Sequence, residues 1–434
     1  MNKPSDVLYI HPRTEMMVPE ILPLSLPALI NRLPVKCIGR FYNEWTDAEI
    51  KRARIIIMDV HWYMGLTSAL ELAHRFKRIN PEIKLIVGGL TASIFAAQLL
   101  RDAPIDYVIC GDAEIPLSQL VSALLEESPV TNIPNLIGRD FKSTAKYALT
   151  TVDVDENDFV DISFFPEYKK RILDYHRIYE TRAHVTIPVY PNLVIFRGCP
   201  LACPVCSGST ELQPKLMGRN WILRSADKVK ADLDQWSNDE KFKFVNVWHD
   251  FVTILPLDYT RQVLAEKYAL SLSYEFYGQP GEEPLALLLQ AFNGGKLLFS
   301  LDECHNSSSK ISDPAGLIAR IRQAQDHGGY KIVLGYAGRF LHNPEYLAAL
   351  RKVQHSTGVA LNRVDWWWED FPLPEADDND YKHFLSQSQR YRTVNFAFRI
   401  GVAGYRLWPR LFQAISQRLW AFDVNNVSTG LDYK

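Results

Sequence analysis

The sequence predicts an α/β protein with two successive parallel-sheet domains and a short helical C-terminal segment. Over residues 1–130, short buried strands alternate with helices, as in a doubly wound parallel sheet. Over residues 191–370, six strand–helix units recur at nearly regular spacing, which predicts a partial (β/α)6 barrel. Residues 131–190 are mostly polar and are expected to form a linker, and residues 371–434 are expected to form a helical cap.

The strands of the N-terminal domain are marked by short apolar runs that end at turn residues. These runs span residues 7–10, 54–58, 84–87 and 106–109. The carboxyl ends of parallel strands meet at one edge of a sheet, where a Rossmann-like or flavodoxin-like fold opens its ligand crevice. We therefore expect ligand-binding loops at Asp59–Gly65, Gly88–Gly89 and Gly111–Glu114.

The second domain is indicated by a longer series of apolar strands, each followed by a segment of helical periodicity. We predict strands over residues 192–196, 242–248, 270–277, 296–301, 330–334 and 359–364. In a barrel of this kind the functional side chains lie at the carboxyl ends of the strands. We therefore expect a second group of functional side chains in the loops after these strands.

Three of the six cysteines lie directly after the first of these strands. Cys199, Cys203 and Cys206 have the spacing Cys-x3-Cys-x2-Cys, in a loop that also holds Gly198 and Pro200. A structural zinc site requires four ligands, and no fourth cysteine or histidine stands at zinc-finger spacing. Three thiolates instead suit an iron–sulfur cluster that keeps one iron open, although a zinc knuckle or a chance group of buried thiols is the alternative.

This loop resembles the cluster-binding motif of the radical S-adenosylmethionine (SAM) enzymes. The resemblance implies that Cys199, Cys203 and Cys206 hold a [4Fe–4S] cluster whose open iron chelates SAM. The family usually has an aromatic residue before the third cysteine, whereas this chain has Val205. An apolar side chain of either kind can shield the cluster from water.

The same resemblance points to acidic residues at the strand ends as SAM ligands. His249-Asp250-Phe251-Val252-Thr253 is similar to the end of the second strand in this family, and Ser300–Cys304 is a looser counterpart of the fourth. Carboxylates there would accept hydrogen bonds from the ribose hydroxyls or the ammonium group of SAM. The candidates are Asp250, Glu275, Asp302 and Glu303. Taken singly, each is about as compatible with a structural ion pair.

The N-terminal loops resemble the cobalamin-binding domain that precedes the barrel in one large class of radical SAM enzymes. Pro23-Leu24-Ser25-Leu26 matches a Pro-Leu-x-Leu motif common near the N-terminus of that class. Gly88–Ser93 looks like its Gly-Gly loop, and Gly111–Glu114 looks like its Gly-Glu-Gly-Glu turn. The cobalamin-binding residues implied in this way are His61, Gly65, Gly88, Gly89, Thr91, Gly111 and Glu114. A flavodoxin-like sheet that binds no corrin is the alternative.

His61 lies in a segment that departs from the best-known cobalamin motif, Asp-x-His-x-x-Gly. The segment Asp59–Gly65 has one residue too many between the histidine and the glycine. His61 could ligate cobalt, but a loop histidine at a strand end explains it equally well.

Taken together, these resemblances imply a cobalamin-dependent radical SAM enzyme. Such an enzyme cleaves SAM reductively to a 5′-deoxyadenosyl radical, and cobalamin carries a methyl group to an unactivated carbon of a small or natural-product substrate. It draws its electrons from an external donor such as flavodoxin or ferredoxin. The alternatives are a radical SAM cyclase or rearrangement enzyme without methyl transfer, and a zinc-bound scaffold or sensor.

Composition and charge agree with this expectation. The chain has 434 residues, 47% of them hydrophobic, and a formal net charge of −2, so there is no electrostatic reason to expect nucleic-acid binding. No apolar run approaches the ~20 residues of a membrane span, and residues 1–6 lack the apolar region of a signal peptide. We expect a cytoplasmic protein with no membrane partner, because clustered free cysteines fit a reducing compartment.

Overall fold

The computed structural model describes residues 6–14, 22–166, 191–201, 213–239, 242–300, 313–336, 344–363 and 373–407. Two parallel sheets dominate these residues, one of six strands and one of five. Cys203, Cys206, Asp302 and Glu303 lie outside the described residues, as do the segments 167–190 and 408–434.

The N-terminal sheet has the strand order β2-β1-β3-β4-β5-β6. Its strands are β1 (Val7–His11), β2 (Cys37–Phe41), β3 (Ile55–Asp59), β4 (Lys84–Gly88), β5 (Tyr107–Ile109) and β6 (Leu136–Gly138). The first five are parallel, and β1 lies between β2 and β3. This order is that of the flavodoxin-like sheets, so the doubly wound fold expected for residues 1–130 is present.

Helices cover both faces of this sheet because its strand residues alternate between two apolar cores. The helices are α1 (Leu26–Asn31), α2 (Asp47–Arg52), α3 (Leu66–Ile79), α4 (Leu90–Ile94), α5 (Ala96–Asp102) and α6 (Glu114–Leu125), with a 3₁₀ turn at Tyr63–Gly65. Ile56 packs with α3 and α5 on one face, whereas Ile55 and Ile57 pack with α1 and α6 on the other. Near-continuous apolar strands such as β3 are what burial on both faces requires.

The segment expected to begin a linker at residue 131 is instead part of the N-terminal domain as far as residue 165. Strand β6 pairs antiparallel with β5, and the helix α7 (Thr151–Glu156) begins with a capping box at Thr150. Phe164 and Phe165 are buried in the same core as β1 and α6. The linker prediction was wrong here because these apolar residues are widely spaced among polar ones, so no periodicity reveals them.

The second sheet contains five parallel strands in the order β13-β12-β11-β10-β9. Their bounds are β9 (Phe244–Val247), β10 (Ser271–Phe276), β11 (Gly295–Ser300), β12 (Tyr330–Tyr336) and β13 (Ala360–Arg363). The helices around them are α9 (Ala226–Asn238), α10 (Phe251–Ile254), α11 (Leu257–Val263), α12 (Glu282–Ala291), α13 (Pro314–His327) and α14 (Pro344–Thr357). Each neighbour in the sheet is also the next strand in sequence, as expected for strand–helix repeats.

The first strand predicted for this domain, residues 192–196, is not a regular strand of the five-stranded sheet. Asn192 forms an isolated parallel bridge to Asn246 in β9, supported by a 2.9 Å hydrogen bond from the Leu193 N–H to the Asn246 carbonyl. The chain then forms β7 (Phe196–Arg197), which pairs antiparallel with β8 (Ile222–Leu223). The short helix α8 (Gln213–Met217) lies between β7 and β8 in sequence. The segment therefore borders β9 in the position of a sixth strand, but pairs with it only at its start.

The C-terminal helix α15 (Asp378–Leu407) packs against the N-terminal domain. Tyr381 and Phe384 are buried beside Phe95 and Tyr63. The Ser388 hydroxyl donates to the Met64 carbonyl at 2.9 Å. The helix expected for this segment is therefore present as far as residue 407, and residues 381 and 384 belong to the same apolar core as α3. No helix within the described ranges is long and apolar enough to span a membrane.

Candidate active site

The strand ends of the N-terminal sheet carry a buried group of polar side chains where β1 and β3 lie side by side. His11 ends β1 and Asp59 ends β3; His11 Nδ1 is 2.9 Å from Asp59 Oδ1, and the Tyr9 hydroxyl donates to the same oxygen. Burial alone would raise the pKa of Asp59, but the charge and hydrogen bond of His11 and the hydrogen bond of Tyr9 lower it. In a sheet of this order, β1 and β3 border the ligand crevice. Tyr9, His11 and Asp59 therefore form the polar floor of that crevice.

Sequence reasoning did not single out Tyr9 or His11 as members of the site. A signal was available, because two adjacent apolar runs end in His11 and Asp59. If these runs are neighbouring parallel strands, the two side chains must lie at the same edge of the sheet. What the sequence could not supply was the order in which the strands pair.

His61 follows β3 and lies at the same edge of the sheet. Burial lowers the pKa of His61 to about 4, and the positive charge of Arg197 adds to this effect against the attraction of Asp59. Its imidazole is therefore neutral at neutral pH. Its backbone carbonyl accepts a 3.1 Å hydrogen bond from the Thr91 hydroxyl. Thr91, predicted to contact cobalamin, is itself buried and in this structure fixes the His61 loop.

The predicted glycines fall into two groups. Gly65 and Gly88 border open space: a Cβ added at Gly65 would meet nothing within 4 Å, and one at Gly88 would meet only the Ile109 carbonyl, at 3.9 Å. Gly89, in contrast, has φ of +106°, and its Cβ would lie 2.7 Å from the carbonyl of Val60. Gly65 and Gly88 therefore fit a cradle for a flat ligand, whereas Gly89 is required by its own backbone.

Gly111 and Glu114 are accounted for by contacts within the protein. A Cβ at Gly111 would lie 3.2 Å from the carbonyl of Leu216 in α8, so this turn is covered by the segment that follows the cysteine loop. The Glu114 carboxylate is fully buried and accepts a 2.8 Å hydrogen bond from Arg197 Nη1. Their predicted contacts with cobalamin stay predictions.

Cys199 is the one cysteine of the predicted cluster motif that the structure describes. It follows β7 and Gly198, is partly buried, and packs against the apolar core of the second domain. Its sulfur lies 3.5 Å from the backbone nitrogen of Leu201, which donates toward it. Backbone N–H groups directed at a cysteine sulfur are the usual outer environment of an iron–sulfur cluster. Within the described ranges no group of three or more potential metal ligands converges, and Cys203 and Cys206 lie outside them.

His249 and Phe196 fix the strand that leads into this loop. The two rings stack with centroids 4.2 Å apart, and His249 Nδ1 accepts a 3.1 Å hydrogen bond from the Ile195 N–H. Burial lowers the pKa of His249 to about 3, with a further contribution from the charges of Arg197 and Arg224. A neutral ring that accepts at Nδ1 must carry its proton on Nε2.

Arg197 relates the two sheets, because the same guanidinium lowers the pKa of His61 and of His249. His61 follows β3 of the first sheet and His249 follows β9 of the second. Arg197, directly before the start of the cysteine loop, also donates a 2.8 Å hydrogen bond to Glu114 of the N-terminal domain, so the start of that loop lies against this domain.

The two described acids predicted to bind SAM have different surroundings. Asp250 is fully buried, and its carboxylate accepts hydrogen bonds from the Tyr274 hydroxyl at 2.7 Å, the Tyr277 N–H at 2.6 Å, and both the N–H and the hydroxyl of Thr253. Burial raises its pKa. In this structure Asp250 holds the turn after β9 together.

Glu275 lies on the other face of the second sheet. Along β10 the buried residues Leu272, Tyr274 and Phe276 pack in the helix-side core, whereas Glu275 alternates with them and is half-buried. The register places Lys296 and Lys331 in one row with Ser273, on the same face as Glu275. This polar face is the one that a barrel would turn toward its interior.

The comparisons with known proteins agree with this arrangement. No family model matches the chain. It is 24% identical over 266 residues to an uncharacterized methyltransferase of Pyrococcus horikoshii, 23% over 184 residues to hopanoid C-3 methylase of Methylococcus capsulatus, and 23% over 248 residues to anaerobic magnesium-protoporphyrin IX monomethyl ester cyclase of Rubrivivax gelatinosus. The matches cover 57%, 42% and 52% of this chain. They span 54%, 32% and 42% of these relatives, so about half of their length or less.

Two solved structures resemble the fold more completely. The radical SAM methyltransferase TsrM of Kitasatospora setae, with cobalamin and a [4Fe–4S] cluster bound, matches 82% of this chain and 74% of its own, with a TM-score of 0.57 and 14% identity. The cobalamin-dependent SAM radical enzyme OxsB, with aqua-cobalamin and SAM bound, matches 89% of this chain and 56% of its own, with a TM-score of 0.53 and 14% identity. The chain therefore has the fold of the cobalamin-dependent radical SAM enzymes, and the resemblance to that family indicated by its sequence is confirmed.

Proposed function

We propose that this chain is a cobalamin-dependent radical SAM methyltransferase that acts on an unactivated carbon of a small-molecule substrate. The observation that carries the proposal is the position of the cysteine loop, whose start is held against the N-terminal domain by the 2.8 Å hydrogen bond from Arg197 to Glu114. The fold likeness to TsrM and OxsB, whose structures hold the expected cofactors, supports it. The names of two of the three sequence relatives favour methyl transfer, and one favours the cyclase alternative.

The residues of this chain fit the two cofactors in different ways. Cys199, with Cys203 and Cys206, would hold a [4Fe–4S] cluster, and the Leu201 N–H would stabilise the Cys199 thiolate. Cobalamin would lie on the open side of Gly65 and Gly88, above the polar floor of Tyr9, His11 and Asp59. Bound together, the two groups supply reductive cleavage of SAM and transfer of its methyl group.

The protein's own part is to bind, orient and shield the reactants. We place SAM along the polar face of the second sheet, where Glu275 and, from their sequence positions, Asp302 and Glu303 would contact its ribose or ammonium group. Asp250 would support this face through the turn after β9. The segment 191–196 would provide the sixth strand of a partial barrel. A flavodoxin or ferredoxin would deliver the electrons from outside.

Product analysis tests this proposal without knowledge of the substrate. The protein is reconstituted anaerobically with iron, sulfide and hydroxocobalamin, and is then reduced with titanium citrate in the presence of SAM. We expect both 5′-deoxyadenosine, from reductive cleavage, and S-adenosylhomocysteine, from methyl loss. Formation of 5′-deoxyadenosine alone would favour the cyclase or rearrangement alternative, and formation of neither would overturn the proposal.

We expect Glu275→Gln to weaken SAM binding by about 1.5–3 kcal/mol, the usual contribution of a hydrogen bond to a charged group. Asp250→Asn is the matched comparison, because the Asp250 oxygens already accept hydrogen bonds from protein donors. This variant should lower the thermal midpoint of unfolding and leave the SAM affinity close to the wild-type value. Isothermal titration with SAM and thermal unfolding measure the two effects. Unchanged SAM affinity in Glu275→Gln would remove Glu275 from the SAM site.

His61→Ala should retain cobalamin. A metal-ligating histidine usually donates its second ring nitrogen to a carboxylate that orients it. Asp59, the acid of this motif, is instead hydrogen-bonded to His11 and Tyr9. Bound cobalt after desalting, measured by elemental analysis, should match the wild-type value. A loss of most of the cobalt would make His61 a ligand.

A further inference from the structure

We propose that two buried acids, Asp112 and Glu114, and two partly buried arginines, Arg197 and Arg219, form an ion-pair network that positions the cysteine loop against the N-terminal sheet. The inference rests on the proposed function, because it gives the Gly111–Glu114 turn the role of setting the distance between the cluster site and the cobalamin site. In this role the acids of the Gly111–Glu114 turn act through the arginines and need no contact with cobalamin.

The first half of the network joins Asp112 to Arg219. Asp112 has 1% of its surface exposed, and its two oxygens face Arg219 Nε at 2.5 Å and Nη2 at 2.6 Å. This two-point contact fixes the plane of the guanidinium as well as its position. The backbone N–H of Leu149 donates to the same carboxylate at 2.9 Å, so Asp112 is also held from its own domain.

The second half joins Glu114 to Arg197, the residue before Gly198 and Cys199. Glu114 is fully buried at the start of α6, and Arg197 Nη1 donates to it at 2.8 Å. The halves are connected, since Arg219 Nη1 also donates to the Arg197 carbonyl at 3.3 Å and to Gln213 Oε1 at 3.2 Å.

The position of the two arginines along the chain makes this a positioning device. Arg197 precedes the cysteine loop and Arg219 follows it, so both ends of the segment 198–218 are fixed to one turn of the N-terminal sheet. Gly198 has φ of +84°, and a Cβ there would lie 2.7 Å from Gln213 Oε1, so the start of the loop is tightly enclosed. A shift of either arginine would move the loop relative to the crevice at β1 and β3.

Removing one carboxylate charge should loosen the ends of the loop, because it deprives a largely buried guanidinium of its nearest carboxylate. Hydrogen–deuterium exchange on the cofactor-free protein measures this directly, in peptides covering residues 193–201 and 213–220. We expect Asp112→Asn and Glu114→Gln each to speed exchange there by at least roughly tenfold. Glu49→Gln is the matched control, since it breaks a similarly short arginine–carboxylate pair, Arg40–Glu49 at 3.0 Å, that contacts neither peptide.

The network predicts a specific pattern among these variants. Asp112→Asn combined with Arg219→Gln should speed exchange by less than the product of the two single effects, because the two side chains act as a unit. If circular dichroism shows Asp112→Asn to be unfolded, Glu114→Gln carries the test, since it leaves the Arg219–Asp112 pair in place. Exchange in these peptides that stays at the wild-type rate, or rises equally in Glu49→Gln, would overturn the proposal.

A spectroscopic readout on the loaded protein separates this inference from the proposed function. With a reduced cluster and Co(II) cobalamin both bound, the electron-spin relaxation of one centre depends steeply on its distance from the other. Arg219→Gln should bind both groups at wild-type occupancy but change the size of this relaxation enhancement. Failure of wild type to bind either group would refute the proposed function and leave the exchange result standing. Full occupancy with unaltered relaxation would refute the positioning role.

Discussion

Replacing Cys199 with alanine should abolish the broad visible absorption at about 400 nm that thiolate-bound iron–sulfur clusters give. The expectation follows from the position of Cys199 after β7, with its sulfur facing the Leu201 N–H. Two remaining cysteines hold a [4Fe–4S] cluster too weakly for it to persist, so 5′-deoxyadenosine formation should fall to background as well. The measurement is anaerobic reconstitution, followed by iron and sulfide analysis and the visible spectrum.

Cys110→Ala is the matched control for this experiment. Burial raises the pKa of the Cys110 thiol to about 11, so this cysteine is protonated at neutral pH and is a poor metal ligand. Its replacement should leave the iron content at the wild-type level. A Cys199→Ala protein that still assembles a [4Fe–4S] cluster would mean that the cysteine motif has been misassigned.

The parts of the fold that could be predicted from the sequence are those in which a single short segment has a recognisable pattern of apolar residues. Strand β3, with four consecutive buried apolar residues, could be predicted because burial on both faces leaves a continuous apolar run. Strand β2 has only alternate residues buried, at the edge of the sheet, and was missed. Strand β6 was missed because it has three residues and pairs antiparallel at the opposite edge.

The site was predictable to the extent that it consists of loops after strands. The positions of His61, Gly88 and Cys199 follow from that rule. The ion pairs do not, since Asp112 and Arg219 are separated by more than a hundred residues and no local pattern relates them. The same limit applied to Asp250, whose motif indicated a ligand contact although four protein donors surround its carboxylate.

Gly88→Leu should expel cobalamin. Gly88 ends β4 beside Asp59, and on its open side only the Ile109 carbonyl lies within 4 Å of where a side chain would begin. The Cβ of a leucine there would clash with nothing, so the fold should persist while the side chain extends into the space proposed for the corrin. Cobalt bound after reconstitution and desalting should fall below about a tenth of an equivalent, a working threshold for specific occupancy.

Gly88→Ala and Gly89→Ala are the comparison variants that separate steric exclusion of cobalamin from misfolding. Alanine at Gly88 would make only an ordinary van der Waals contact, at 3.9 Å, and should keep most of the cobalt. Alanine at Gly89 would be strained by the φ of +106° and by the Val60 carbonyl, so it would lose cobalt through misfolding whatever the ligand. A graded loss from Ala to Leu at Gly88, with an unchanged thermal midpoint of the cofactor-free protein, therefore reports steric exclusion from the crevice. Full cobalt occupancy in Gly88→Leu would place the corrin elsewhere, and a wild-type chain that binds no cobalt would leave a radical SAM fold whose N-terminal sheet has another role.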